Sequence, residues 1–449
     1  MGLVKVEALW SRKYRLYIQI QNLIQCRWAS NRFCVSFCRS QLVFLVFFIY
    51  FSTCAQFSTM AEENKHLTAV LRGNGLFTRN LYKILAQEKN KNIFFSPVSI
   101  HAVLALAAQG SAGKTRKALT DTLQVPDIAT LAEGYKEAMK KLNSVEDVTL
   151  LMANKVYLKE QFALQESFKN IVTSHFFSEV QNINFEQNTA AAKTINTWVE
   201  EKTKDKIKNL IQPDDLNADT RLVLVNAIYF KGKWAEPFAP SATRTEKFYL
   251  NDKDTIDVNM MHIKKKFYFK NDEDLDAKLL ELPYTNKDLS MIIILPNKRN
   301  GIDELEAKLA NTDLTKITED MFRPEVIVSL PKFKIETTID LNEPLSKLGL
   351  AGMFSNDADF SGMLQSPEEL KVSKVIQKAF IEVNEEGAEA AAATGMLIRK
   401  KKCLIWQRDE IIFEADHPFI FTLKENVNNE INILFKGRIV MPTSISVTM

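Results

Sequence analysis

"EEGAEAAAATGMLIRKKK", Glu385 to Lys402, sets an alanine tract directly before a basic cluster, close to the C-terminal end of the chain. Alanine is the strongest helix former, and glutamate suits the first turn of a helix. Gly387, however, weakens a helix start there, and no apolar stripe at helical spacing would dock the segment on a core. The tract suits a helix, a permanent strand or a plain exposed loop equally badly. Its composition points to a demand other than static packing.

The surrounding chain is long enough for a large core: 449 residues, 46% of them apolar. Length alone would allow two or three domains. Gly and Pro are scattered, however, no Ser- or Gln-rich linker appears, and no repeat occurs at solenoid periods. One large mixed domain is expected over residues 56–449, after a distinct leader at 1–55. The leader holds seven Lys/Arg, one acid, and Cys26, Cys34, Cys38 and Cys54. Its run "LVFLVFFIYF", Leu42–Phe51, is short for a membrane span and of the right length for a signal-peptide core. Arg39 precedes it, and Thr53 and Ala55 follow as small residues of a cleavage site. A secreted, extracellular protein is the favoured expectation. A cytoplasmic form starting at Met60 and an uncleaved signal anchor are the alternatives.

Without the leader, 51 basic residues face 54 acidic ones, so the body gives no case for nucleic-acid binding. Only Cys403 then remains, and cysteine usage does not report the redox compartment. No Asn-x-Ser/Thr acceptor follows the leader.

Residues 66–88 repeat apolar positions at helical spacing, and a second helix follows "NIFFSPVSI", Asn92–Ile100. Short polar helices are expected within 112–142 and 189–211. Strand signals dominate afterwards, at 148–158, 221–230, 289–296, 326–333, 419–423, 431–435 and 438–442. Several are continuous apolar runs, as in strands covered on both faces. Helices mainly first and strands mainly later imply an α+β class.

Enzyme motifs are thin. "AAQGSAGKT" ends like a phosphate loop, but Ala108 stands where the first glycine is needed, and a helix rather than a strand precedes it. No nucleophile elbow or zinc-protease motif occurs. His66, His101, His175, His262 and His417 are isolated and lack metal-ligand spacing. Basic "HIKKKFYFK", 262–270, reads as an alternating strand with one solvated face. No cofactor or metal is expected, and no catalytic residue is assigned.

In this order, four stretches resemble the serpin family across roughly residues 65–449. "NIFFSPVSIHAVLALAAQGSAGKT" is similar to the family's buried second helix, and "LVNAIYFKGKWAEPF", 224–238, to its central strand. "FEADHPFIFTL", 413–423, matches the C-terminal signature, and "VNEEGAEAAAATG" the proximal hinge of inhibitory members. The likeness is greatest to insect members. It implies a helix-rich serpin fold of three β-sheets, with an exposed reactive-centre loop at about 385–412. That loop would be bait for a protease and, once cut, would enter the main sheet and trap the acyl-enzyme.

The opening stretch then makes physical sense. A segment that is loop first and strand later commits strongly to neither. In a strand, Ala388, Ala390, Ala392 and Thr394 share the inward face, Met396 and Ile398 keep that phase, and Glu389 faces water. Small inward side chains let a sheet part and reclose, and Gly387 supplies the pivot. The resemblance assigns the hinge to Glu385, Glu386, Gly387, Ala388, Glu389, Ala390, Ala391, Ala392, Ala393 and Thr394. Counted from the hinge glycine, the bait bond is Lys401–Lys402. Counted back from His417 it falls near Leu404, which leaves Arg399, Lys400 and Cys403 as alternatives. A protease with a carboxylate at the base of its primary pocket accepts such basic residues. Cys403 is either a reactive free thiol or an indifferent loop residue.

Ser96, Ser99, Asn226, Trp234, Lys332 and Gln377 match positions that hold the main sheet closed, with Lys332 expected to pair with Glu385. At Gln377 the family commonly has histidine. Two functions follow from the resemblance. The first is a monomeric, irreversible inhibitor that traps a trypsin-like serine protease covalently. The second is a non-inhibitory carrier, chaperone or storage protein, a class that usually has bulky or charged hinge residues. A glycosaminoglycan partner stays open, with nothing in the sequence to support one.

Overall fold

The computed structural model describes residues 64–144, 147–366, 368–386 and 410–442, and the backbone of 445–448. Among these, the helices relevant here are α1 (64–85), α2 (Pro97–Gln109), α3 (Gly113–Leu123), α4 (Ile128–Asn143), α5 (Glu166–Phe176), α6 (Asn188–Lys202), α7 (Ile302–Leu309) and α8 (Leu314–Thr318). The strands form three sheets. The main sheet contains β2 (Val148–Lys159), β3 (Glu179–Ile183), β4 (Leu222–Gly232), β11 (Phe333–Asp340), β12 (Val372–Val383) and β16 (Ile445–Thr448), in the order β16-β11-β12-β4-β2-β3. A second sheet runs β1 (Ile93–Phe95), β15 (Glu430–Ile439), β14 (Phe419–Val427), β9 (Leu289–Pro296), β8 (Ala277–Pro283), β7 (Tyr268–Asp272). The small sheet runs β13 (Ile411–Glu414), β10 (Glu325–Pro331), β6 (Thr255–Lys266), β5 (Arg244–Tyr249). The α+β class expected from the sequence is the class found.

Strand β4 shows why a continuous apolar run signals cover on two faces. Leu222, Leu224, Ile228 and Phe230 join the main core, while Val223, Val225, Ala227 and Tyr229 pack in a second cluster beneath α6. Helix α2 is buried along its whole length except its last residue. Its alanines 102, 105, 107 and 108 let neighbouring elements approach closely.

Three expectations need correction. Residues 203–211 are not helical: Lys204, Asp205 and Asn209 adopt positive φ, and the chain turns to lay Ile207, Leu210 and Ile211 on the sheet. Burial of those three side chains outweighs local propensity. The run at 431–435 and the start of that at 438–442 lie on one strand, β15, which ends at Ile439. The 262–270 stretch spans two strands of different sheets, β6 and β7, divided at buried Phe267.

His101 ties the helical layer together. Its Nε2–H donates to the Leu123 carbonyl at 2.9 Å, and its Nδ1 faces the Tyr135 hydroxyl. Burial pushes its pKa down from 6.5 to about 4, only partly offset by the Leu123 carbonyl. Between those values the unfolded chain binds the extra proton, so stability rises with pH there. Acidification from pH 6.5 to 4 is expected to remove about 3 kcal/mol through this group. Denaturant titrations of His101→Gln should show a correspondingly shallower acid slope than the parent.

Candidate functional site

The main sheet has an unusual seam at its centre. Strands β12 and β4 pair in parallel from Lys374 opposite Val223 to Ile381 opposite Phe230. Their outer neighbours are antiparallel, β11 against β12 and β2 against β4. Parallel ladders are slightly weaker per residue. A segment that turned back after β12 would run antiparallel to both β12 and β4, so this seam is the geometrically apt slot for one more strand.

A polar cluster sits beneath the seam in an otherwise apolar core. Gln377 of β12 donates to the Ser96 carbonyl at 3.0 Å, accepts from the Ser96 amide at 2.9 Å, and donates to the Asn226 side chain on β4. Asn226 in turn reaches the Ser99 hydroxyl and Asn154 of β2. Ser96 Oγ donates to the Leu434 carbonyl at 2.7 Å. Ser96, Ser99, Asn226 and Gln377 are fully buried. Once buried, each partner lost would leave an unsatisfied group costing about 1–3 kcal/mol. The cluster therefore resists separation of β4 from β12.

Trp234 and Lys332 lie elsewhere, where β12 ends. Trp234 Nε1 donates to the Asn384 carbonyl (3.0 Å), its backbone amide to Glu386 (2.9 Å), and the Phe238 amide to Glu385 (2.8 Å). The indole stacks on Tyr284 with centroids 4.4 Å apart. Lys332 Nζ stands 2.8 Å from Glu385 Oε2, and Thr243 Oγ1 donates to Oε1 at 2.8 Å. Burial alone would raise the Glu385 carboxyl, but Lys332, its own backbone amide and Thr243 outweigh that and hold it below its ordinary value. Lys332 occupies this position because Pro331 ends β10 and Phe333 begins β11, so it sits at the junction of two sheets. Strand β13 begins at Ile411, just before the expected distal limit of the loop at 412. The hinge from Gly387 onward and the bait candidates Arg399, Lys400, Lys401, Lys402 and Cys403 lie outside the described residues.

Sequence reasoning missed two parts of this site. Asn154 completes the polar junction; a lone asparagine in the apolar run "LLMANKVYL" was the available signal. On the outer face, the segment after α6 crosses the seam as a strap. Lys378 of β12 donates to the Lys208 carbonyl at 2.6 Å, and Lys374 pairs with Asp215 at 2.7 Å. The strap continues directly into β4, so these contacts also span the two central strands.

A family model described as "Serpin (serine protease inhibitor)" matches residues 72–442. The chain belongs to the serpin family. Antichymotrypsin-2 of Bombyx mori is 40% identical to this serpin, the alignment covering 80% of the chain and 96% of the relative. Antitrypsin of the same moth is 39% identical over 82% and 94% respectively. Serpin48 of Tenebrio molitor superposes with a TM-score of 0.75 at 38% identity, covering 83% of this serpin and 98% of its own chain. These relatives are named as protease inhibitors or serpins, and protease inhibition is the general activity that this serpin shares with them. Identity to the antitrypsin and to the antichymotrypsin is nearly equal, so relatedness does not choose between their specificities.

The serpin's Gln377 cannot titrate near neutrality. Gln377→His is therefore expected to make the seam acid-sensitive, because a buried ring must charge against desolvation. The melting temperature difference between variant and parent should widen between pH 7.5 and 5.5, equivalent to about 1–3 kcal/mol. A constant difference would show that position 377 does not govern seam closure.

Proposed function

We propose that this serpin is a secreted, irreversible suicide-substrate inhibitor of trypsin-like serine proteases, with Lys401–Lys402 as its bait bond. The protease's serine adds to the Lys401 carbonyl. The Lys401–Lys402 bond breaks, the Lys402 amine leaves, and an ester joins enzyme to inhibitor. The freed segment from Gly387 then enters between β12 and β4, antiparallel to each, carrying the tethered enzyme away before water cleaves the ester. Fourteen residues from Ala388 to Lys401 extend about 46 Å as a strand, a distance comparable to a domain of this size.

The observation that carries this reading is the parallel β12–β4 seam, set directly before a hinge of small residues. The same hinge weighs against a carrier or storage role, since bulky or charged inward residues would obstruct insertion. Basic residues at Arg399 through Lys402 keep the protease class the same if the cut falls one or two bonds earlier. The leader, with its apolar core at Leu42–Phe51, supports export.

Incubation of the 56–449 protein with trypsin, followed by a denaturing gel, tests the proposal. A covalent band near the summed mass is expected, with chymotrypsin and elastase trapped roughly a hundredfold more slowly. Complete cleavage without that band would refute inhibition, whereas faster trapping of chymotrypsin would refute the basic bait alone.

A further inference from the structure

Tyr229 of β4 and Phe380 of β12 stand directly opposite each other in the parallel ladder. Partners in register share one face of a sheet, here the outer face that packs beneath α6. The two rings stack across the seam, with centroids 5.3 Å apart and planes 29° from parallel. Both are buried, at 6% and 8% exposure. Asn226 and Gln377 pair three positions further along the ladder, an odd step that puts them on the opposite face. The seam is thus fastened by polar groups inside and by rings outside.

Two cations flank the rings. Lys334 Nζ, from an exposed position on β11, lies 5.0 Å from the centre of Phe380. Lys206 Nζ, from the strap, lies 6.0 Å from the centre of Tyr229. A cation over an aromatic face is attracted by the ring quadrupole within about 6 Å. The Lys334 contact is well inside that range, and the Lys206 contact is at its limit. The row runs cation, ring, ring, cation, and links β11, β12, β4 and the strap.

Strand spacing decides when this pair can act. Neighbouring strands lie about 4.8 Å apart, and with one more strand between them β12 and β4 would stand about 9.6 Å apart. Aromatic pairs interact at centroid separations of about 4.5–7 Å. The stack therefore exists only while the seam is closed. It also sits at the hinge end. Among the ladder pairs only Ile381 opposite Phe230 lies closer to Val383, where β12 ends. A segment entering from the hinge meets the rings before it meets Gln377 and Asn226.

We propose that Tyr229 and Phe380 form an aromatic clasp that sets how fast the seam opens at its hinge end, and hence the rate of loop entry. The clasp rests on the insertion mechanism given above. It stabilises the closed sheet and contributes nothing to the inserted one. It holds back an uncut loop, whose entry would waste the inhibitor. After cleavage, the ladder bonds of about fourteen inserted residues outweigh one stacked pair.

Amide hydrogen exchange reads seam opening without any protease. Phe380→Leu and Tyr229→Leu keep an apolar side chain and remove the stack. Each is expected to speed exchange at the β4 and β12 amides about fivefold, with β9 and β14 unchanged. The double variant should exchange no faster than either single one, because the same contact is lost once. Tyr229→Phe keeps both rings and should match the parent. Lys334→Met, at an exposed site that leaves the core intact, should speed seam exchange about twofold. In protein cut at the loop, Phe380→Leu and the parent should exchange alike at the seam. Effects that multiply in the double variant, spread to β9 and β14, or persist in the cut form overturn the clasp. Variants that trap trypsin with unchanged seam exchange also refute it. A parent that never traps trypsin refutes the inhibitory reading itself.

Discussion

Thr394→Arg is expected to convert the inhibitor into a substrate. In the proposed inserted strand Thr394 would share its face with Ala388, Ala390 and Ala392, and that face would meet the core under β4 and β12. There the existing polar groups are already satisfied, as Asn226 and Gln377 bond to each other and to their neighbours. An arginine arriving without a partner would bear the desolvation cost of a buried charge, several kcal/mol. Each 1.4 kcal/mol slows insertion about tenfold, so two or three such steps let hydrolysis of the acyl-enzyme win. Covalent complex yield should fall from near stoichiometric to below roughly one in ten, while the bait bond is still cut. Glu389→Arg, on the opposite face, should trap trypsin almost as well as the parent. Cutting the parent loop with a non-target protease should also raise its melting temperature by roughly 20 °C or more, since about fourteen residues gain ladder bonds worth about 1 kcal/mol each. If Thr394→Arg retained full trapping, or the cut molecule melted where the intact one does, strand insertion would be the wrong mechanism.

The largest stability effect is expected from Arg438→Met. This guanidinium is 1% exposed and spends all its donors: Nη1 on both Glu306 oxygens (2.9 and 3.0 Å), Nε on the Lys91 carbonyl (3.1 Å), Nη2 on the Glu88 and Lys91 carbonyls. It thereby joins β15, α7 and the loop after α1. Its loss strands Glu306, itself buried and otherwise held by the Tyr82 hydroxyl at 2.6 Å and a long contact to Lys89. Breaking a buried pair from one side costs about 3–5 kcal/mol. The matched change Arg438→Met with Glu306→Leu removes the orphaned charge and should recover most of that loss. Because the proposed loop insertion would make the cut form more stable than the intact one, unfolding rates as well as melting temperatures are the appropriate readout. Equal destabilisation by the single and double variants would show that packing, not charge, carries the contact.

Much of the architecture was legible along the chain. Continuous burial of β4, the all-buried α2 and the apolar runs of β9 and β14 follow from periodicity, which reports how many faces of an element are covered. The alternation of small residues from Ala388 to Thr394 and the basic cluster from Arg399 to Lys402 are likewise properties of local sequence. So is the placing of Ser96, Asn226, Trp234 and Gln377, although that came through family likeness rather than through periodicity.

Which surfaces meet was a different matter. Nothing local announced that β12 lies beside β4 in parallel, because strand partners are chosen by ladders and packing between segments far apart in the chain. Nothing in the local sequence signals that the segment at 203–216 crosses Lys374 and Lys378. Glu306 and Arg438 are separated by 132 residues, and only the approach of α7 to β15 makes them a pair. Local pattern therefore determined which residues leave water and which segment stays uncommitted. Tertiary structure alone decided the seam, the strap over it and the Arg438–Glu306 pair, because each is built from groups whose meeting depends on long-range burial rather than on neighbours in sequence.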